Sequence, residues 1–295
     1  MAFKELLFAW WARPGRCRSL TMDGRKRTYY VHMSRGHDQK VPAPVVLALH
    51  GATMNGPMMA WFTGLNRKAD EAGFVVVYPN GTGESSSFTW NGGNCCGPAV
   101  RDGVDDVAFL RALLDDLANV VAVDAKRVYA TGMSNGAVMA YRLAAELSDR
   151  IAAIAPVAGP MGTETCAPTR AVSVLHFHGT DDEFAPFQGG VGPRSLFRTN
   201  FNSVEHTVRA WVRANGCAQE PVTEELPDKA HDGTKVTRTT YGGGRDGAEV
   251  VLVTIKGGGH TWPGRASPAK VLGKATMNVS ANDLIWEFFQ RHSLP

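Results

Sequence analysis

A serine in the pentapeptide 132–136, GMSNG, has the surroundings best suited to covalent chemistry, because the peptide fits the pattern G-x-S-x-G. A short β-prone segment at 128–130 precedes it, and residues 135–147 place small and apolar side chains at helical spacing. A serine at a sharp turn between a strand and a helix exposes its hydroxyl as a nucleophile. The pentapeptide alone also fits a glycine-rich surface turn, but with these flanks we predict that Ser134 is a nucleophile.

An acid and a base that could serve this serine follow later in the chain. Asp181 and Asp182 come shortly after one predicted strand, and His260 lies in a glycine-rich loop after the last predicted strand. The chain order Ser, Asp, His is that of α/β-hydrolases and differs from the orders in the two common serine-protease folds. Adjacent aspartates cannot both face the histidine, and we predict that Asp182 does. We therefore expect Ser134, Asp182 and His260 to form a catalytic triad.

Two further histidines precede the predicted acid. His176 lies inside a predicted strand, so we expect it to be a packed core residue, and we expect His178 to shape the loop that carries Asp182. The three glycines before His260 give its loop the backbone freedom to bring the ring toward the serine. His260 is therefore the predicted base.

Backbone donors for an oxyanion are predicted from a second strand end. The predicted strand at 44–50 ends in His-Gly and opens into a loop of small residues. An α/β-hydrolase places one oxyanion-hole amide in such a loop and takes the other from the residue after the nucleophile. We predict the N–H groups of Ala52 or Thr53 and of Asn135 as these donors. The alternative is that the His-Gly pair only forms a turn.

Predicted strands alternate with predicted helices along the chain, which is typical of an α/β fold with a mostly parallel central sheet flanked by helices. Strands are predicted at 27–33, 44–50, 74–78, 128–130, 151–157, 171–177, 236–241 and 249–255. Helices are predicted at 102–121, 135–147, 203–215 and 278–292. The site of such a fold lies at the C-terminal ends of the strands, where all three predicted triad residues would meet.

Length and composition favour a single large domain, because 295 residues that are 44% hydrophobic can bury one substantial core. We predict one catalytic domain over 19–295, preceded over 1–18 by an N-terminal extension or the remnant of an export signal. The short apolar run at 6–12 reads as a weak amphipathic segment or part of that signal. A net charge of +3 with scattered basic residues argues against a nucleic-acid partner, and no apolar run reaches the length of a membrane span.

No metal or cofactor is predicted. The cysteines lack the spacing of zinc ligands. Asp105 and Asp106 could be read as a metal pair, but they open the predicted helix at 102–121, where acidic residues cap a helix and suit its dipole. We therefore predict a helix-capping role for both aspartates.

Disulfide pairing stays open at the level of the sequence. The five cysteines are Cys17, Cys95, Cys96, Cys166 and Cys217. An odd count in a chain of this length does not indicate a disulfide scaffold. The adjacent pair could bond to each other, or each could pair separately with one of the other three.

In these motifs the sequence resembles the polyhydroxybutyrate-depolymerase-like esterases, the group that includes the feruloyl and acetylxylan esterases of carbohydrate esterase family 1. The matching motifs are LHG at 49–51, W at 90 through CCGPA at 95–99, VDDV at 104–107, GMSNG at 132–136, HGTDD at 178–182 and GGHTWPG at 258–264. They cover nearly the whole chain from about residue 19, and in combination they are specific. The resemblance puts the triad acid on Asp182, in agreement with its position.

The resemblance implies an α/β-hydrolase fold and a cofactor-independent serine carboxylesterase. The substrates it allows are hydroxyalkanoate oligomers, feruloylated or acetylated xylan, and short synthetic esters. It implies a secreted or periplasmic protein; without export the location would be cytoplasmic. In many relatives the cysteine matching Cys217 looks paired with another near Tyr241, where this chain has glycines at 242–244, so Cys217 is expected to be free or bonded elsewhere.

We place His50, Trp90 and Trp262 in the substrate cleft, where the indoles could stack on an aromatic acyl group or a sugar, although either tryptophan could instead be part of the core. Without a polymer-binding domain or linker, small or oligomeric esters are expected as substrates in preference to crystalline polymer. The protein is expected to be a monomer or a homodimer. Whether 184–247 acts as a lid stays open. Two alternatives are a thioesterase or peptidase with the same triad, and a catalytically silent module that binds carbohydrate or polyester.

Overall fold

The computed structural model describes residues 15–34, 37–38, 40–84 and 86–295, so the predicted segment at 6–12 lies outside the described residues. The strands are β1 (Arg16–Met22), β2 (Arg25–His32), β3 (Ala43–Leu49), β4 (Val75–Pro79), β5 (Thr82–Glu84), β6 (Ser87–Thr89), β7 (Val123–Met133), β8 (Ala153–Val157), β9 (Ser173–Gly179), β10 (Val222–Glu225), β11 (Lys235–Tyr241) and β12 (Val250–Lys256). The helices are α1 (Gly56–Thr63), α2 (Leu65–Ala72), α3 (Gly97–Arg101), α4 (Asp106–Leu117), α5 (Asn135–Glu146), α6 (Val204–Asn215) and α7 (Ala281–Gln290).

Ten of these strands form one sheet in the order β1-β2-β4-β3-β7-β8-β9-β12-β11-β10, and β5 and β6 pair separately as a hairpin. The six central strands, from β4 to β12, are parallel, whereas the two strands at each edge pair antiparallel. The parallel register brings the ends of β3, β7, β9 and β12 to one edge of the sheet. The predicted α/β fold with a mostly parallel sheet and flanking helices is confirmed.

The central strands are buried on both faces, as their continuous apolar sequences predict. All residues of β3 are buried; Val45, Leu47 and Leu49 pack into one core, and Val46 and Ala48 pack into the other. The first core lies against α4, α5 and α6, and the second lies against α1, α2 and α7. Burial of each such side chain stabilises the fold by roughly 1.5–3 kcal/mol, so the sheet is held between two apolar layers. Among the described residues no helix has the length and apolarity needed to cross a membrane.

The predicted elements match the observed ones where the sequence pattern is strongly apolar. The helix at 203–215 is confirmed as α6, which Gly216 ends in the left-handed conformation. The C-terminal helix is confirmed as α7, and its N-cap Ser280 accepts a hydrogen bond from the Asp283 amide. The sequence patterns did not predict β1, α1, α2, α3, β10 or the β5–β6 hairpin, and β7 begins earlier than predicted.

The predicted helix at 102–121 is confirmed as α4, but it is shorter than predicted: α4 spans Asp106–Leu117, and residues 102–105 form a turn between α3 and α4. Gly103 in this turn has a φ of +58°, which a helix interior does not accommodate. Asp105 then caps α4 by accepting a hydrogen bond from the Ala108 amide at 2.9 Å. The capping prediction is therefore correct for Asp105.

Asp106 does not cap the helix, and that part of the prediction is wrong. Its carboxylate is fully buried, lies 2.6 Å from the Arg27 guanidinium and accepts a hydrogen bond from the Asn91 amide at 2.8 Å. Burial raises the pKa of Asp106, and the attraction of Arg27 opposes that shift. The Arg27 guanidinium also lies 3.9 Å from the centre of the Phe109 ring. This ion pair ties β2 and α4 to the loop that begins at residue 90.

We expect Asp106→Ala to destabilise the protein much more than Asp105→Ala. Removal of the Asp106 carboxylate leaves the buried Arg27 charge without this counter-ion, which typically costs 3–5 kcal/mol, about the range we expect. Loss of an N-cap typically costs about 1 kcal/mol. Urea denaturation at neutral pH measures both changes. Equal losses for the two neighbours would show that the ion pair has no special weight.

Candidate active site

Ser134 occupies the turn between β7 and α5 in a conformation that few residues adopt. Its φ of 57° and ψ of −121° store backbone strain, as expected of a nucleophile elbow. A Cβ atom at Gly132 would lie 2.3 Å from the Gly136 carbonyl oxygen, and one at Gly136 would lie 2.1 Å from the Leu49 carbonyl oxygen. Only glycine fits at these two positions, which explains the G-x-S-x-G spacing.

Asp182 and His260 are brought together from the loops that follow β9 and β12. The His260 Nδ1 atom lies 2.7 Å from Asp182 Oδ2, and the other carboxylate oxygen accepts from the amides of Phe184 and Ala185 at 2.8 and 2.9 Å. The Asp182 side chain is buried, whereas Asp181 is exposed and binds the Thr180 hydroxyl. Of the two adjacent aspartates, only Asp182 therefore faces the histidine.

The environment of Asp182 favours its ionised form. Burial alone would raise the pKa of this carboxyl, but the attraction and hydrogen bond of His260, with further contributions from His178 and the Ala185 amide, hold the pKa below its usual range. Asp182 is therefore an anion at neutral pH, and it can hold the Nδ1–H of His260 and stabilise the ring when charged.

Ser134 and His260 both line a cleft of about 220 Å³ at the C-terminal edge of the parallel strands. The residues around it are Gly51, Ala52, Thr53, Met54, Phe62, Cys96, Met133, Ser134, Phe184, Ser195, Leu196, Phe197, Thr199, Phe201, His260 and Leu272. Phe184 stacks on the His260 ring with the centroids 4.9 Å apart. Among the described residues, no Lys, Arg, Asp or Glu side chain lines the cleft. It is suited to a neutral, apolar group.

The structure separates the two candidate donors in the loop after β3. The Thr53 amide donates to the Phe88 carbonyl oxygen at 2.8 Å, so the prediction of Thr53 as a free donor is not met. Within the described part of the chain, the amides of Ala52 and Asn135 donate to no protein group. Ala52 lines the cleft, and Asn135 directly follows Ser134. These two amides are therefore available to a ligand oxygen.

His50 lies beneath the cleft rather than in it, contrary to the prediction that it contacts substrate. Its ring is fully buried; Nε2 accepts from the Gly81 amide at 3.0 Å, so Nδ1 carries the proton and donates to the Gly51 carbonyl oxygen at 2.8 Å. Burial lowers the pKa of His50 to about 4, so the ring is neutral at neutral pH. Because the Gly51 carbonyl and the Ala52 N–H belong to one peptide unit, His50 sets the orientation of that N–H.

The two tryptophans expected in the cleft are core residues, and that prediction is wrong. Trp90 and Trp262 are 0% and 1% exposed. The Trp90 indole donates to the His50 carbonyl oxygen, and the Trp262 indole donates to the Asn282 side chain, each at 3.0 Å. Both indoles have a partner inside the protein, which lets them pack behind the cleft wall.

The aromatic side chains that line the cleft are phenylalanines and not the tryptophans predicted from the sequence. Phe62, Phe184, Phe197 and Phe201 line the cleft. Their one signal in the sequence is that each lies in a segment that follows the end of a central strand. Of the segment 184–247, which was left open as a lid, only the part from 184 to 201 lines the cleft; α6, β10 and β11 belong to the body of the fold.

The cysteines next to the cleft form a disulfide between the adjacent residues Cys95 and Cys96, which was one of the two alternatives left open. The remaining cysteines, Cys17, Cys166 and Cys217, are free. A Cβ atom at Gly244 would lie 2.8 Å from the Cys217 sulfur, so the glycines at 242–244 do stand where a partner cysteine would be needed. No group of three or more His, Cys, Asp or Glu side chains in the described ranges is arranged to hold a metal ion.

The Asn135 side chain joins the nucleophile turn to this loop. Its Oδ1 accepts from the Trp90 amide at 2.7 Å, and its Nδ2 donates to the Trp90 carbonyl oxygen at 3.0 Å. The same nitrogen lies 3.7 Å from the Cys95 sulfur. From the sequence, Asn135 was predicted only as a backbone donor, and these contacts of its buried side chain were not predicted.

A parallel sheet with flanking helices, and a serine, a histidine and an aspartate at the ends of its strands, define an α/β-hydrolase. The family described as Esterase PHB depolymerase matches residues 28–217. NocK of Nocardia uniformis subsp. tsuyamanensis, which its name describes as an esterase, is 35% identical over 92% of this chain and 81% of its own length. The chain belongs to the Esterase PHB depolymerase family, as the resemblance in its motifs implied.

Two other relatives agree with this assignment. Feruloyl esterase B of Piromyces equi is 29% identical over 91% of this chain, which spans 46% of that protein. The structure of an acetyl xylan esterase from Aspergillus awamori superposes with a TM-score of 0.63 at 17% identity, over 94% of this chain and 99% of the other. At that identity the superposition supports the fold.

The buried neutral His50 makes the stability depend on pH. Its pKa is about 4 when folded and 6.5 when unfolded, so below pH 6.5 only the unfolded chain takes up the proton. As the pH falls from 6.5 to 4, we expect the parent to lose about 3 kcal/mol more free energy of unfolding than His50→Gln. Urea denaturation across this range measures the difference. Parallel pH profiles for the two proteins would contradict the assignment.

Proposed function

We propose that this protein is a serine carboxylesterase that uses Ser134 as nucleophile, His260 as general base and Asp182 as the orienting acid. The observation that carries the proposal is the shared cleft: Ser134 and His260 both line it, and His260 is held from behind by Asp182 at 2.7 Å. The order of these residues along the chain and the family of the protein support the same assignment.

In the first half of the reaction, His260 Nε2 takes the Ser134 hydroxyl proton while the serine oxygen attacks the ester carbonyl carbon. The carbonyl oxygen becomes an oxyanion that the Ala52 and Asn135 amides stabilise; one such donor is typically worth about 2.7–4 kcal/mol. The tetrahedral intermediate collapses, and His260 gives its proton to the leaving alcohol. An acyl-enzyme on Ser134 remains.

Hydrolysis of the acyl-enzyme repeats the sequence with water in place of the serine. His260 takes a proton from the water as its oxygen attacks the acyl carbon, and then returns that proton to the Ser134 oxygen as the carboxylic acid leaves. Asp182 stays ionised throughout. Its lowered pKa supports this role, because an anion beside Nδ1 stabilises the charged ring of both steps.

The cleft supports esters whose acyl group is neutral and apolar. Its phenylalanines could contact an aromatic acyl group, and its volume of about 220 Å³ suits a small or oligomeric ester. We propose that short acyl esters, feruloyl esters and capped hydroxyalkanoate oligomers are substrates. Feruloyl esterase B carries an acyl specificity of this kind in its name.

We also propose that the protein is a secreted or periplasmic monomer or homodimer. The Cys95–Cys96 disulfide supports an oxidising compartment. Fractionation of the source cells tests the location, and sedimentation of the purified protein tests the oligomeric state.

Replacement of the nucleophile tests the proposed reaction directly. We expect the parent to hydrolyse p-nitrophenyl acetate and butyrate and methyl ferulate, and we expect Ser134→Ala to lower kcat by about 10⁴- to 10⁶-fold, the range found for loss of a triad residue. Faster turnover of thioester or amide analogues than of the oxyesters would favour a thioesterase or peptidase. A parent without any hydrolysis, but with polyester or carbohydrate binding that survives Ser134→Ala, would favour a silent binding module.

Among the residues that the structure describes, no lysine or arginine lines the cleft, and this predicts a preference for neutral over charged substrates. We expect kcat/KM for the methyl ester of a hydroxybutyrate dimer to exceed that for the free acid by about 10-fold, because none of the described lining residues is a lysine or arginine that would compensate a desolvated carboxylate. Leu196 lines the cleft and is 61% exposed, so Leu196→Lys should reduce the difference in kcat/KM between the methyl ester and the free acid. Val222→Lys, on β10 and away from the cleft, is the control. Equal rates on both substrates in the parent would contradict the prediction.

A further inference from the structure

A chain of buried polar side chains runs from the nucleophile helix to the loop of the acid. The Tyr141 hydroxyl lies 2.8 Å from His176 Nδ1, His176 Nε2 lies 3.0 Å from His178 Nδ1, and His178 Nε2 lies 2.7 Å from the Ala185 carbonyl oxygen. All three side chains are at most 1% exposed. None of them lines the cleft, and the proposed reaction uses none of them.

The Ala185 carbonyl oxygen at the end of this hydrogen-bonded chain determines which nitrogen of each histidine carries a proton. A carbonyl oxygen only accepts, so His178 Nε2 carries a proton and donates to Ala185. Burial lowers the pKa of both histidines, so both rings are neutral and each has one unprotonated nitrogen. His178 Nδ1 must then accept from His176 Nε2–H, and His176 Nδ1 must accept from the Tyr141 hydroxyl. The hydrogen bonds point in one direction, from α5 to the acid loop.

Ala185, the last residue of this hydrogen-bonded chain, also forms a hydrogen bond with Asp182. Its carbonyl accepts from His178, and its amide donates to Asp182 Oδ1 at 2.9 Å. His178 Nε2 itself is 3.6 Å from Asp182 Oδ2, which is too long for a hydrogen bond. The chain therefore reaches the carboxylate through the main chain of Ala185. The second oxygen of Asp182 stays available to His260.

We propose that Tyr141, His176 and His178 are positioning residues that set the orientation of Asp182 toward His260. They act through Ala185 and do not touch substrate. Tyr141 lies on α5, the helix that Ser134 opens, so the chain couples the nucleophile turn to the acid loop across the buried face of β9. The role of this chain in turnover rests on the proposed function; its geometry does not.

The Tyr141 hydroxyl has a specific task in this chain. Without it, His176 has no donor that keeps Nδ1 unprotonated, and the ring can take the opposite tautomer. His176 Nε2 and His178 Nδ1 would then present two lone pairs to each other, and the connection to Ala185 would break. We therefore expect that loss of the Tyr141 hydroxyl oxygen, which lies away from the cleft, disturbs the orientation of Asp182.

The test compares Tyr141→Phe with Tyr129→Phe. Both tyrosines are 0% exposed and lose one hydroxyl hydrogen bond of 2.8 Å, but Tyr129 bonds the His292 carbonyl, outside this chain. We expect similar losses in melting temperature for both variants. We expect kcat on p-nitrophenyl butyrate to fall about 3- to 10-fold for Tyr141→Phe alone, with KM changed less than about 2-fold, because only the orientation of the triad changes.

A second pair of variants isolates the donor to Ala185. His178→Leu removes it and is expected to lower kcat by about 10- to 100-fold. His178→Gln keeps an amide N–H near the position of Nε2 and is expected to restore kcat to within about 5-fold of the parent. Equal kcat for folded parent, Tyr141→Phe and His178→Leu would overturn the proposal, as would equal losses for His178→Leu and His178→Gln.

Nuclear magnetic resonance tests the chain without reference to turnover. Imidazole ¹⁵N spectra of the parent should show His176 and His178 protonated at Nε2. The downfield proton between His260 and Asp182 should shift or exchange faster in Tyr141→Phe than in Tyr129→Phe. Protonation of either histidine at Nδ1, or an unchanged downfield proton, overturns the proposal. A parent that hydrolyses no ester while these signals behave as expected would instead refute the proposed function.

Discussion

The backbone packing around Ser134 is the constraint on which the site depends. Three chain segments meet there so closely that a Cβ at Gly136 would collide with the Leu49 carbonyl oxygen at 2.1 Å, and one at Gly159 would collide with the Ser134 carbonyl oxygen at 2.3 Å. This contact holds the serine in its strained conformation and fixes the ends of β3, β7 and β8 relative to one another. Cooperative packing of a rigid sheet is what makes such strain tolerable.

Buried polar side chains extend this constraint from the serine to the surrounding loops. The His50 ring donates to the Gly51 carbonyl oxygen, and the His178 ring donates to the Ala185 carbonyl oxygen. The Asn135 side chain accepts from the Trp90 amide. A buried polar group without a partner costs about 1–3 kcal/mol, so each of these bonds opposes movement of its loop. The core of this protein is therefore both an apolar support and a set of polar tethers that aim main-chain groups at the cleft.

Sequence patterns were sufficient where a residue's role depends on its immediate neighbours. The buried strands β3 and β4 are continuous apolar runs, and the elbow is a local turn with its own glycines, so both could be predicted. The edge strand β1 was missed because none of its residues is fully buried and its sequence carries no apolar run. The helix predicted at 102–121 was placed too early, because the positive φ angle of Gly103 keeps residues 102–105 in a turn and α4 begins only at Asp106.

Spacing, chain order and strand-end position are properties of the linear sequence, so the fold and the predicted reacting groups could be derived from them. The burial and partners of His50, Trp90 and Asp106, and the hydrogen bond from the Thr53 amide to Phe88, are set by the folded structure and could not be derived from the sequence. The physical reason is that a side chain's exposure and hydrogen bonds are set by groups distant in the chain. The sequence of a long loop does not show whether the indole of its tryptophan contacts a substrate or donates to a carbonyl oxygen in the core.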